Sequence, residues 1–260
     1  MDLNLRGRTA LITGASKGIG RAIAGVLAAE GCNLVLAART AADLERARAE
    51  IVARHNVSVV IKAADLAATV AIEELAAAHS DIDILVNNAG AIPGGRITEV
   101  DDQRWRAAWD LKVYGYINMT RAFYQAMKAR NGGVIINILG VAGERLEPTY
   151  IAGSTGNAGL IAFTKTMGAA SAADNIRVVG VNPGPIDTER LEGLMRKRAL
   201  DQWGDAERWR EFHKPLPFGR AGRPDEVANM VAFLASDLAS YISGTVITID
   251  GGLANRGLNG

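Results

Sequence analysis

The chain has 260 residues, 48% of them hydrophobic and 22% charged, which is globular composition with enough apolar material for one α/β domain and a large core. A formal charge of +1 makes neither nucleic acid nor a membrane surface an expected partner, and no run approaches the roughly 18 apolar residues of a membrane span. One cysteine, Cys32, cannot form an internal disulfide, and the opening MDLNLRGR holds no apolar stretch that reads as a leader, so a cytoplasmic location is expected.

In chain order, short β-rich runs alternate with Ala-rich helical stretches. Strands are expected at 9–13, 33–37, 57–61, 83–87, 133–138, 176–181 and 245–249, and helices at 18–30, 41–55, 67–79, 101–130, 155–173 and 225–236. Several strands are apolar nearly throughout, as strands covered on both faces are. The alternation predicts βαβ units with right-handed crossovers, hence an α/β, doubly wound parallel sheet of about seven strands in a single domain, 1–260. Residues 184–224, rich in charge and tryptophan, interrupt it before the last strand and read as a functional cover.

The first strand runs into TGASKGIG, Thr13–Gly20. Glycines at 14, 18 and 20 permit a tight turn and let backbone N–H groups approach a pyrophosphate at a helix N-terminus. Further on stand NNAG (Asn87–Gly90), Asp65-Leu66, Pro183-Gly184 and Asp250–Gly252. With these five motifs in order over nearly the whole length, the chain resembles the short-chain dehydrogenase/reductase family, which implies a Rossmann-type nucleotide-binding fold. The resemblance implies that Thr13, Gly14, Ser16, Lys17, Gly18, Ile19, Gly20, Asp65, Leu66, Asn87, Ala89, Gly90, Pro183, Gly184, Ile186 and Thr188 shape the dinucleotide site. Within that set, Asn87 and Gly90 face the nicotinamide and Ile186 and Thr188 hold its carboxamide. The second strand ends Ala37-Ala38-Arg39, without the acid that binds ribose hydroxyls in NAD sites. Arg39 and Lys17 point to NADP(H) over NAD(H), since a guanidinium takes a phosphate with its planar fork.

Standard members of that family carry a catalytic Asn, Ser, Tyr and Lys. Anchoring on IINILG, on WDLKVYG and on Phe163-Thr164-Lys165 places Lys112, Gly140, Gly153 and Asn157 at those four positions. A second register makes Tyr150 the tyrosine and Ser154 the lysine position, but it requires an insertion inside a buried helix. A displaced pair, Tyr150 with Lys112, assisted by Ser154, is the candidate replacement. Gly153, Gly156 and Gly159, at i, i+3 and i+6, suggest close helix packing or, for Gly153, an enlarged pocket. By resemblance a homodimer or homotetramer is expected.

Arg196-Lys197-Arg198 with Trp203, Trp209 and Phe212 either cover a substrate or form a solvated helix, and Glu144 and Glu147 read as surface acids. His55, His79 and His213 lack metal-ligand spacing, so no metal is expected. The resulting reading is an NADP(H)-dependent oxidoreductase for a carbonyl, an alcohol or a related activated substrate, with a non-standard proton-transfer site. Its alternatives are a cofactor-binding sensor, scaffold or inactive subunit, and a non-redox lyase in the same pocket.

Overall fold

A computed structural model describes residues 2–256. Seven parallel strands form one open sheet in the order β3-β2-β1-β4-β5-β6-β7. They are β1 (Thr9–Thr13), β2 (Asn33–Ala38), β3 (Val59–Ala63), β4 (Ile84–Asn87), β5 (Gly133–Ile138), β6 (Ile176–Pro183) and β7 (Val246–Ile249). The helices are α1 (Gly18–Ala29), α2 (Ala41–Val52), α3 (Thr69–Ala78), α4 (Asp102–Trp109), α5 (Gly115–Ala129), α6 (Ile151–Ala170), α7 (Glu189–Trp203) and α8 (Pro224–Ala235).

The period-two alternation of strand side chains divides the core. In β1, Ala10 and Ile12 join Ile23 and Leu27 of α1 and Val227 and Val231 of α8 on one face. Leu11 joins Ile72 and Leu75 of α3 and Met119 and Phe123 of α5 on the other. On α1 the buried stripe is Gly20, Ile23, Ala24, Leu27 and Ala28, the spacing of one helical face. The strand order reverses between β1 and β4, so a crevice opens where their C-terminal ends diverge.

Several elements differ from the sequence expectation: α2 ends three residues early, at Val52, and α3 starts two residues late, at Thr69. The helix expected at 101–130 is two helices joined by a π-turn over Asp110–Tyr114, with Lys112 at its centre. The helix expected from 155 begins at Ile151, with Tyr150 as its N-cap, because the loop before it closes on Ser154. The third strand starts two residues late, at Val59. The 184–224 segment holds α7 and a 3-10 stretch, Ala206–His213, that packs back on it.

Candidate active site

The cofactor end is built by steric exclusion. Gly14 and Gly18 adopt φ of +65° and +54°, which disfavours any side chain. A Cβ on Gly14 would come within 2.9 Å of Asn88 Nδ2, and one on Gly20 would collide with the carbonyl oxygen of Gly14. Asn88 fixes the turn by donating to Thr13 O at 2.9 Å and Gly14 O at 3.2 Å. The Thr13 hydroxyl accepts from Asn88 N at 2.8 Å and Ala89 N at 3.0 Å, tying the ends of β1 and β4 together. Thr13 is therefore a strut beneath the loop. Asn88 is a second strut, which the motif pointed to only as the unassigned letter of NNAG.

Beyond the turn lies a cleft of about 280 Å³ lined by Gly14, Ser16, Lys17, Ala38, Arg39, Thr40, Asp43, Leu66, Ala89 and Gly90, among others. Leu66 forms its apolar wall, while Asp65 stands exposed beside it with its carboxylate on Ala67 N. Asp43 pairs with Lys17 at 3.3 Å and with Arg46, whereas Arg39 forms no ion pair among the described residues. The rim thus carries cations in excess over its one acid, which suits a phosphate-bearing ribose. Ile19 is half-buried behind the loop. Thr188 leans over it, with Cγ2 3.3 Å from the Cβ position of Gly18, and caps α7 by accepting from Leu191 N. Ile186 is buried beneath, and Pro183-Gly184 packs against Asp250, whose carboxylate receives the N–H groups of Gly252 and Ala254. Asn87 is fully buried and donates to Asn137 Oδ1 at 2.9 Å, so its side chain belongs to the core rather than to the cleft surface.

At the chemical end side chains, rather than backbone, close on the glycines. At Gly140, N–H donates to Asn182 Oδ1 at 3.0 Å, and a Cβ would approach Asn157 Nδ2 to 2.9 Å. Asn157 Oδ1 and Asn182 Nδ2 are buried without partners among the described residues. Such orphaned atoms in a native interior mark a place completed by water or ligand. A Cβ on Gly153 would collide with the ring of Tyr150, which therefore occupies the start of the side-chain space that position would otherwise claim.

Lys112 rises from the π-turn past Gly90, where a Cβ would come within 2.7 Å of its Cδ. Its Nζ donates to Leu139 O at 2.8 Å and Ile138 O at 3.3 Å, beside Gly140. Burial, reinforced by the nearby Arg190 guanidinium, brings the ammonium down to about 7. Tyr116, fully buried, donates to the same Ile138 O at 2.8 Å, and its phenol is pushed up by burial and then by Tyr150. Burial also raises the Tyr150 phenol, against the opposing effect of Arg190.

The structure places Lys112 beside Gly140, Gly140 against Asn157 and Tyr150 against Gly153, and Arg190 lies near both Lys112 and Tyr150. Ser154 points elsewhere: its hydroxyl accepts from Glu147 N at 3.0 Å. Arg190 was missed by the sequence reading; its one signal is its place two residues past Thr188. It bridges two loops by donating to Gly90 O at 3.0 Å and Ile92 O at 2.9 Å.

The remaining sequence candidates lie outside this group. Arg196 pairs with Glu192 at 2.7 Å and faces Trp209, Arg198 covers Phe212, and Trp203 stacks on Phe212 at 4.7 Å, so these side chains pack on one another within the insertion. Glu147 accepts from Thr149, and Glu144 accepts from Thr248 at 2.9 Å. Gly156 lets Trp109 and Val113 approach within the same chain, while Gly159 meets nothing. No cluster of His, Cys, Asp and Glu suited to a metal occurs among the described residues. The Cys32 thiol is pushed up to about 12 by burial and is unsuited to nucleophilic work. No described helix is long and apolar enough to cross a membrane.

Comparison with known proteins gives a consistent picture. The family model described as enoyl-(acyl carrier protein) reductase matches residues 14–254. A 3-oxoacyl-[acyl-carrier-protein] reductase of Aquifex aeolicus is 34% identical, over 97% of this chain and 100% of its own. Galactitol 2-dehydrogenase (L-tagatose-forming) of Cereibacter sphaeroides is 34% identical, over 95% of each chain. The structure of L-sorbose reductase from Gluconobacter frateurii, complexed with NADPH and L-sorbose, superposes with a TM-score of 0.90 at 33% identity, covering 98% of this chain and 100% of that one.

Proposed function

The chain belongs to the short-chain dehydrogenase/reductase family of oxidoreductases, and from that premise we propose that it interconverts a ketone and a secondary alcohol with NADP(H), using Lys112 for proton transfer. The relatives named above are a 3-oxoacyl reductase, a sugar-alcohol dehydrogenase and a sugar reductase, and their common chemistry is the expected chemistry here. NADP(H) is the preferred cofactor: the neighbour at TM-score 0.90 is an NADPH complex, and Arg39 and Lys17 line the cleft where an NAD site would carry an acid.

The residues present fit that cofactor. The glycine turn leaves no room for a side chain against the pyrophosphate path, Thr188 stands over it, and Asn157 and Asn182 hold unpartnered polar atoms at the inner end. When bound, NADPH supplies the hydride. The chain's own part is to hold the substrate oxygen and give it a proton. Lys112 does this from the former asparagine position: an ammonium ionised near neutral pH delivers a proton from Nζ and recovers one from solvent. Tyr150, whose ring lies across Gly153, donates a hydrogen bond to the substrate from the facing wall, and Ser154 braces the loop that sets its angle. The location of Lys112, with its ammonium on the carbonyls before Gly140, is the single observation that carries this reading. On this reading the Asn and Lys positions of standard members are held by Lys112, in the π-turn before α5, and by Asn157 of α6.

The test is an NADPH fluorescence titration followed by a turnover screen over ketones and secondary alcohols. Saturable NADPH binding, tighter than NADH, with turnover on at least one ketone is the expected result. Tight binding with no turnover on any ketone would leave a cofactor-binding protein and overturn the proposal.

A further inference from the structure

Lys112 and Tyr116 stand four residues apart, Lys112 inside the π-turn Asp110–Tyr114 and Tyr116 at the start of α5. Residues at that spacing share a helical face. Lys112 Nζ lies 5.5 Å from the centroid of the Tyr116 ring, within the range of a cation–π contact. The two side chains also meet on one acceptor. Tyr116 Oη donates to Ile138 O at 2.8 Å, whereas Lys112 Nζ approaches that oxygen only to 3.3 Å and makes its shorter bond, 2.8 Å, to Leu139 O.

Filling of the core does not account for a tyrosine here. Its neighbours are Leu139, Leu160 and Ile161, with Val113, Phe163 and Val246 packed on them, an apolar cluster in which a hydroxyl is costly unless bonded. Tyr116 is 1% exposed, and a phenylalanine would fill the same space without that cost. The hydroxyl spends its hydrogen bond on the carbonyl that Lys112 shares.

The ring and the hydroxyl act on the ammonium in opposite directions. The face of the ring attracts the charge. The hydroxyl takes up a carbonyl that would otherwise bind the charged form, and such a bond favours that form. The other groups facing Lys112 are the carbonyls at the end of β5 and the Arg190 guanidinium of α7, while Tyr150, at the N-cap of α6, acts on Tyr116. Burial raises the Tyr116 phenol far above its ordinary value, so it stays protonated and keeps donating wherever Lys112 titrates.

We infer that Tyr116 is the positioning residue for Lys112: its ring carries the ammonium and its hydroxyl claims Ile138 O, so that Nζ rests chiefly on Leu139 O and keeps an N–H for the substrate oxygen. This inference rests on the reading of Lys112 as the proton-transfer group and identifies the side chain that sets its place and its readiness to release the proton.

The experiment follows Lys112 itself, by NMR of protein labelled with ¹³C at lysine Cε, the Lys112 signal being the one missing from Lys112→Met. Its titration is compared in the wild type, Tyr116→Phe and Tyr116→Leu, alongside the pH profile of ketone reduction by NADPH. Tyr116→Phe keeps the ring and frees Ile138 O for the ammonium, so the Lys112 titration should move up by about 1 pH unit. Tyr116→Leu loses the ring as well and should titrate about 0.5–1 pH unit below Tyr116→Phe. In both variants the inflection of the reduction rate should move with the signal. A Lys112 signal that is unmoved or moves down in Tyr116→Phe, or equal titrations in the two variants, would overturn the inference, since lost packing gives no such ordered pair of shifts. Tyr116→Phe preserves the core volume and decides the question alone if Tyr116→Leu does not fold. The ordered shifts without a matching inflection in turnover would sink the proton-transfer reading and keep Tyr116 as the partner of Lys112. An inflection near 7 that disappears in Lys112→Met, with a Lys112 signal indifferent to Tyr116→Phe, would do the reverse.

Discussion

The two ends of the crevice are held by different means, backbone at one and side chains at the other. At the cofactor end every glycine is forced: a Cβ at 14 or 20 meets backbone or Asn88 at once, and Thr13 and Asn88 lock the turn to the neighbouring strand. At the chemical end the glycines are closed off by side chains, Asn157 at Gly140 and Tyr150 at Gly153. Gly140 faces two amides with unpartnered atoms, and Gly153 yields its place to the ring of Tyr150. A pyrophosphate-binding turn tolerates little variation because backbone approach is a steric demand. Proton transfer asks only that some suitable group reach the oxygen, so residues from another helix can supply it.

The largest effect should come from breaking the constrained end. Gly20→Val drives a branched side chain into the Gly14 carbonyl, and NADPH affinity should fall by more than about 100-fold in a fluorescence titration, since the turn must move away from the phosphates. At the chemical end, Lys112→Met keeps the stem's volume and removes the proton. Turnover should drop ~10²–10⁴-fold while NADPH affinity holds within a few-fold, a split that separates the two ends in one variant. Arg39→Glu should lower the preference for NADPH over NADH by roughly 10–100-fold, read as a ratio of kcat/KM, because it exchanges a phosphate partner for a repelling acid. Tyr150→Phe should cost least, about 5-fold in turnover, the worth of one neutral hydrogen bond; unchanged turnover would remove Tyr150 from the site.

The cofactor end was readable because its requirements are local. TGASKGIG, the acid-free end of β2 and NNAG carry their physics within a few residues, and the structure assembles them around one cleft. Strand apolarity likewise gave all seven strands, with β3 displaced because Val57 and Ser58 precede its ladder. The chemical end depends on geometry that spacing does not encode. Counting along the chain suggests Lys112 and Asn157 for the family's Asn and Lys positions, but it does not show that a π-turn aims Lys112 at the carbonyls of β5's end. Nor did it find Arg190, which reaches Gly90 across a sequence separation of 100 residues. Ser154 looked catalytic by its position near Tyr150, whereas its hydroxyl is bound to the backbone of Glu147.

Titration of Lys112 joins fold and chemistry. Its ordinary value of 10.5 falls to about 7 in the folded protein. Between those two values the unfolded chain binds more protons, so this group makes stability rise with pH from about 7 to about 10.5, with no slope below 7 where both states are protonated. Lys112→Met should remove that rise from denaturant titrations across the window. On the proposed mechanism ketone reduction uses the ammonium and should fade as pH rises through about 7, whereas alcohol oxidation uses the amine and should grow.

The most direct test of Lys112 as the proton-transfer group is the pH dependence of single-turnover hydride transfer, followed by NADPH absorbance in the wild type and in Lys112→Met. The account predicts a wild-type reduction rate that falls through an inflection near 7, and a slow, pH-flat rate in the variant. The same inflection in both proteins, or a variant as fast as the wild type, would contradict it.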